Sequence, residues 1–226
     1  MLSSIEVYPN TSGCSTLSLP SSRSGHTVIV TSDPTALVAI CGGHTYSGFD
    51  SSCLVLDQRN QRWDGSRMGS LTMKRHYGAA ARLNHIGVFI VGGGLTNNSR
   101  TSEFLAAGTM QWQEGPALPV DMDEPCAVTI TDTSFLVIQG TDIHEFEAAS
   151  ETWREAGRWP KLQRSRTQMP GCAKIGQKVI IAGGQSGRSS SSTTDVLDLA
   201  NRQITPGGEM ARAKKFFHIA TIISEG

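Results

Sequence analysis

A short apolar run ending in a pair of glycines occurs three times in this chain: Leu37-Val38-Ala39-Ile40-Cys41-Gly42-Gly43, Val88-Phe89-Ile90-Val91-Gly92-Gly93 and Val179-Ile180-Ile181-Ala182-Gly183-Gly184. A fourth run, Phe135-Leu136-Val137-Ile138-Gln139-Gly140, keeps only the last glycine. Successive last glycines are 50, 47 and 44 residues apart. A tryptophan follows the first three at a similar offset: Trp63, Trp112 and Trp153 lie 20, 19 and 13 residues after Gly43, Gly93 and Gly140. Ile204, 20 residues after Gly184, takes that place in the fourth unit. Two markers in one phase define a structural repeat, and a repeat confines the chain to a stack or ring of similar units.

Each unit reads as four short strands. A first run (26–31, 78–83, 126–131, 171–175) turns into the run that ends in glycine. A loop follows, then a third run (53–57, 102–105, 143–147, 196–199) and a fourth that carries the tryptophan. Apolar runs of four to seven residues bounded by Gly, Asn, Asp, Pro and Ser, with no sustained 3.6-residue period, predict an all-β chain. A glycine pair suits the exit of a crowded inner strand, because glycine accepts positive φ and lets backbones approach closely. The tryptophans supply apolar plates between neighbouring sheets.

The glycine pairs, the Asp57-x-x-x-x-x-Trp63 spacing and the Arg23-Ser24-Gly25-His26 lead-in together resemble kelch repeats, over essentially the whole chain. The resemblance implies a kelch-type β-propeller of about four four-stranded blades, with a ring left incomplete. The units are 23–74, 75–122, 123–165 and 166–213, flanked by partial units at 1–22 and 214–226, all in one domain. Phe216 to Ile223 is expected to form a first strand. The missing tryptophan of the fourth unit is expected to cost that blade about 1 to 3 kcal/mol of aromatic burial.

Chemistry is less evident. Twenty Lys plus Arg balance twenty Asp plus Glu, so no field attracts nucleic acid or anionic lipid. No apolar run approaches the roughly 20 residues of a membrane helix, and Met1 to Glu6 lacks the pattern of a signal peptide. A cytoplasmic location is the resulting expectation. The six histidines lack metal-ligand spacing, and Gly92-Gly93-Gly94 is not followed by the Lys-Ser/Thr of a phosphate loop. No cofactor, metal site or catalytic residue is therefore assigned. Five cysteines without C-x-x-C spacing read as buried free thiols, with Cys14 and Cys53 the pair left open for a disulfide.

The site expected from these residues is a binding face. Arg23, Arg75, Arg166 and Lys215 recur just before the first strand of their units, where inter-blade loops gather near the axis; the third unit has Asp123-Glu124 there. Two alternatives stand for this ring: it receives an acidic peptide through charge-assisted hydrogen bonds, or its side chains bond to carbonyls of neighbouring blades. The loops after the glycine pairs add Tyr46, Phe49 and Arg100 as candidate anchors, and His76 joins them from beside Arg75, since aromatic and arginine side chains dominate interface energetics. The expected function is a non-catalytic scaffold for a protein or acidic-peptide partner, with self-association through open blade edges. The rival expectations are an extracellular carbohydrate-acting or copper-oxidase-like propeller and a partial product without independent function.

Overall fold

The computed structural model describes the backbone of residues 2–7 and 15–17 and the whole of residues 18–31, 37–94 and 99–213. Every regular element among them is a strand. An N-terminal hairpin pairs β1 (Leu2–Val7) with β2 (Ser15–Arg23). The first full sheet holds β3 (Thr27–Val30) and β4 (Val38–Cys41), then, after a small hairpin of β5 (His44–Thr45) and β6 (Gly48–Phe49), β7 (Cys53–Asp57) and β8 (Arg62–Asp64). The second holds β9 (Ala79–Leu83), β10 (Gly87–Val91), β11 (Ser102–Ala106) and β12 (Trp112–Glu114). The third holds β13 (Cys126–Thr129), β14 (Ser134–Gln139), β15 (Asp142–Glu147) and β16 (Thr152–Trp153). In the fourth, β17 (Gly171–Ile175) and β18 (Lys178–Ala182) are separated by a hairpin of β19 (Gln185–Ser186) and β20 (Ser189–Ser190) from β21 (Thr194–Asp198) and β22 (Gln203–Pro206).

All four sheets are antiparallel meanders, and their first strands stand side by side. Cross-sheet hydrogen bonds join those strands: Thr27 Oγ1 donates to Gly78 O at 2.9 Å, Thr129 Oγ1 to Arg82 O at 2.6 Å, and Lys174 Nζ to Ile130 O at 2.7 Å. This arrangement is compatible with a propeller. Among the described residues no strand of the fourth sheet pairs with the first, so no ring is closed by hydrogen bonds. The C-terminal first strand expected over Phe216 to Ile223 lies outside the described residues.

The core lies between sheets. Trp112 packs with Cys41, Cys53 and Val55 of the first sheet, and Trp153 reaches Phe135 and Phe146 on the face toward Phe89 of the second. Trp63 faces Leu19 of the N-terminal hairpin. Burying each such plate is worth about 1.5 to 3 kcal/mol. The fourth sheet does not lack its aromatic plate. Trp159, from the segment linking sheets three and four, is buried beside Leu162, Val179 and Ile204, and its indole N–H donates to Glu145 Oε2 at 2.9 Å. The expected loss of aromatic burial is therefore corrected: the indole arrives from the linker instead of the fourth strand.

The cysteine expectation is also corrected. Cys41 bonds to Cys53 across β4 and β7, and Cys126 to Cys172 across the joint between sheets three and four. The expectation misjudged them because strands distant in sequence are brought into register by the repeat, so Cys53 finds Cys41 on the adjacent strand rather than Cys14. Cys14 lies outside the described residues. Thiol titration of the unfolded, unreduced protein is expected to find one thiol per chain and, after reduction, five; three or more before reduction would show that a pair is not formed. Among the described residues no helix is long and apolar enough to cross a membrane.

Candidate functional site

The sequence-predicted arginines are not at the surface. Arg23, Arg75 and Arg166 are each 1% exposed. Their guanidinium groups donate to the carbonyl of the first glycine in their own unit: Arg23 to Gly42 at 3.0 Å, Arg75 to Gly92 at 2.6 Å, Arg166 to Gly183 at 2.5 Å. The second glycine is held by the next unit. Gly43 N–H donates to Arg75 O at 2.7 Å, Gly93 N–H to Met122 O at 2.9 Å, and Gly140 N–H to Arg166 O at 2.9 Å. The glycine pairs thus tie each sheet to its successor through main-chain groups. These three side chains do bond carbonyls, but carbonyls of their own unit and not of a neighbouring blade as one alternative had it. Lys215 lies outside the described residues.

Each buried arginine has a carboxylate partner: Asp50 at 3.3 Å for Arg23, Glu103 at 3.2 Å for Arg75 and Asp195 at 2.7 Å for Arg166. Burial pulls the pKa of Arg75 down, and Glu103 opposes that pull. Burial raises the Asp50 carboxyl, but hydrogen bonds from Ser52 and the charge of Arg23 outweigh it and hold the group below its usual range. Glu103 and Asp195 occupy one register position on the third strand, opposite Glu114 and Pro206. In the arginine-free third sheet that position is His144, whose pKa burial lowers, favouring a neutral ring where no cation is present. There the N–H of Glu124 donates to Gln139 Oε1 at 3.1 Å, so Gln139 replaces glycine and Met122 replaces arginine together.

What does reach the surface is a cluster of rings. The hairpin β5–β6 projects beyond the first glycine pair and is anchored to the lead-in segment by Ser24 N–H to His44 O at 3.0 Å and His44 N–H to Ser24 O at 2.8 Å. Its turn lifts Tyr46 to 87% exposure. The rings of His44 and Phe49 lie 5.0 Å apart, Phe49 and His76 4.5 Å, and His76 and Tyr77 4.5 Å. Gly25 sits beneath Tyr77, where a Cβ would come within 2.7 Å of the ring. Burial lowers the pKa of His76, as does neighbouring His44, against an opposing effect of Asp123.

The structure thus brings together Phe49 and His76 with Tyr46 on the adjoining turn, and adds His44 and Tyr77, which sequence reasoning passed over. Arg100 stands apart: its guanidinium donates to Pro119 O at 3.1 Å and Leu118 O at 3.4 Å. Among the described residues no three His, Cys, Asp or Glu side chains converge on a point that could hold a metal ion. No protein-family model matches the chain, and no curated protein does.

Proposed function

We propose that this chain is an arc of a kelch-type β-propeller acting as a non-catalytic binding scaffold, and that it takes a protein partner on the face formed by His44, Tyr46, Phe49, His76 and Tyr77. The observation that carries this reading is Tyr46, a large ring 87% exposed on the turn of a hairpin braced by backbone bonds, whose His44 and Phe49 rings continue into those of His76 and Tyr77 with successive centroids 4.5 to 5.0 Å apart. Aromatic side chains on rigid supports lose little entropy on binding and make the largest interface contributions. The repeat spacing, the glycine-pair ties and the row of first strands support the propeller reading. The internal pairing of the arginines shifts the expected partner from an acidic peptide to one with an apolar or aromatic anchor.

The two disulfide pairs favour an oxidising compartment over the cytoplasmic expectation, because such pairs persist outside the reducing cytosol. Selection of displayed random peptides on the intact protein tests the binding reading. Enriched peptides are expected to lose about tenfold or more in affinity with Tyr46→Ala or Phe49→Ala. Arg59→Ala, in the turn at the opposite end of the first sheet, is expected to change nothing. Peptides that bind the Tyr46 and Phe49 variants as well as the wild type would sink the proposed face.

A further inference from the structure

Two clefts occupy the same place in successive joints. Between sheets three and four, Arg154, Glu155, Ala156 and Gly157 follow Trp153 along one side of a cleft, and Arg202 stands on the other. Between sheets two and three the corresponding residues after Trp112 are Gln113, Glu114, Gly115 and Pro116, with Glu151 opposite. Arg202 and Glu151 each stand two residues before the tryptophan position of the following sheet, at φ +56° and +53°.

The two clefts differ in what fills them. Arg202 lies over the buried Trp159, its guanidinium carbon 5.5 Å from the ring centre, while Arg154 and Arg158 pair with Glu147 and Glu145. That cleft supplies its own cation to its own ring. The other is a cavity of about 170 Å³ backed by Phe89, Phe104 and Phe146, with Ile86 and Ala148 beside them. Phe104 stacks on Phe89 with centroids 4.5 Å apart, and Phe89 meets Phe146 at 5.2 Å. Phe89 and Phe146 are buried and Phe104 is half-buried. Here the arginine position is a carboxylate. Glu151 is exposed, and Arg154, the nearest arginine in sequence, is already paired with Glu147 at 3.0 Å. Register turns Glu114 to the side of Glu103, away from Phe104, which leaves Glu151 as the counter-charge. Among the described residues no cationic side chain lines this cavity.

We infer that the cavity between sheets two and three binds a small organic ammonium carrying one aromatic ring, with the ring against Phe104 and the ammonium at Glu151. Size and charge select that occupant. An apolar cavity of roughly 150 Å³ holds one benzene ring. Aromatic walls attract a cation as well as apolar surface, and a carboxylate favours an ammonium over a neutral or anionic head of the same shape. No lining residue belongs to the ring cluster at His44, Phe49, His76 and Tyr77, so the site is independent of the proposed partner face.

NMR titration of the full chain, labelled at isoleucine and alanine methyl groups, tests this with phenethylammonium, 2-phenylethanol and phenylacetate. Phenethylammonium is expected to saturate with a Kd of about 1 mM or tighter and to shift the Ile86 and Ala148 methyl signals. The alcohol is expected to bind about tenfold more weakly, lacking both an exposed ion pair and a cation–π contact, and phenylacetate more weakly still. Glu151→Gln is expected to weaken the ammonium about threefold and leave the alcohol unchanged. Ala148→Leu, which fills the cavity, is expected to abolish binding of both. Equal affinity for ammonium and alcohol overturns the inference, as does saturation that leaves the Ile86 and Ala148 signals in place, or an ammonium affinity that Glu151→Gln does not change. Absence of binding at about tenfold the expected Kd overturns it too. The three-ligand series on the wild type decides the matter even where a variant misfolds.

Discussion

Arg75→Met is expected to destabilise the protein by about 3 to 5 kcal/mol, the cost of leaving one member of a buried ion pair without the other. Glu103 is 1% exposed and would keep only its hydrogen bonds from Thr72, at 2.5 Å from the N–H and 2.9 Å from Oγ1, and from the Met73 N–H at 3.4 Å. The carbonyls of Gly92 and Thr101 would lose their guanidinium donor at the same time. In a domain of this size the melting temperature falls by roughly 2 to 4 °C per kcal/mol, so thermal unfolding is expected about 10 °C lower. The third sheet indicates the rescue, since it places Met122 and His144 where the second has Arg75 and Glu103. Arg75→Met combined with Glu103→His is therefore expected to recover most of the loss, because no unpaired charge remains. A double variant as unstable as Arg75→Met alone would show that the carbonyl contacts, and not the charge pair, make the arginine necessary.

That contrast also marks what could be read from the sequence. The strands were legible because apolar runs and glycines recur in phase: the third strand of the first unit is Cys53–Asp57 as expected, and the others differ by a residue or two at their ends. The arginine positions were legible too, but their carboxylates were not. Glu103 and Asp195 share a register position that becomes visible only after strands are paired, and Asp50 reaches the same role from a loop. The absence of an acid at His144, in the unit without an arginine, was the available signal. Trp159 escaped because it left the repeat phase and entered the joint from a linker. The ring cluster was half legible: Tyr46, Phe49 and His76 stood out by residue type, whereas His44 and Tyr77 belong to it through contacts between two units.

The glycine pairs permit a separation of backbone strain from crowding. Gly93 and Gly140 end equivalent runs with similar backbone angles, φ +70° and +65°. For alanine that conformation costs about 1 to 2 kcal/mol at either site. Around Gly140 nothing lies within 4 Å of an added Cβ, so Gly140→Ala is expected to stop at that figure. At Gly93 the Cβ would meet the backbone nitrogen of Gly78 and come within 2.5 Å of His76 O. Neither is the end of a flexible side chain, so relief requires the second sheet's lead-in to move. That movement would strain the bond from Gly93 N–H to Met122 O and the placement of His76 under Phe49. Gly93→Ala is therefore expected to lose about 4 kcal/mol or more, in the exceptional range for a single substitution, and to weaken binding at the ring cluster in whatever fraction stays folded. Chemical denaturation of the two variants side by side makes the comparison, and equal losses would mean that the close approach at Gly93 relaxes without cost.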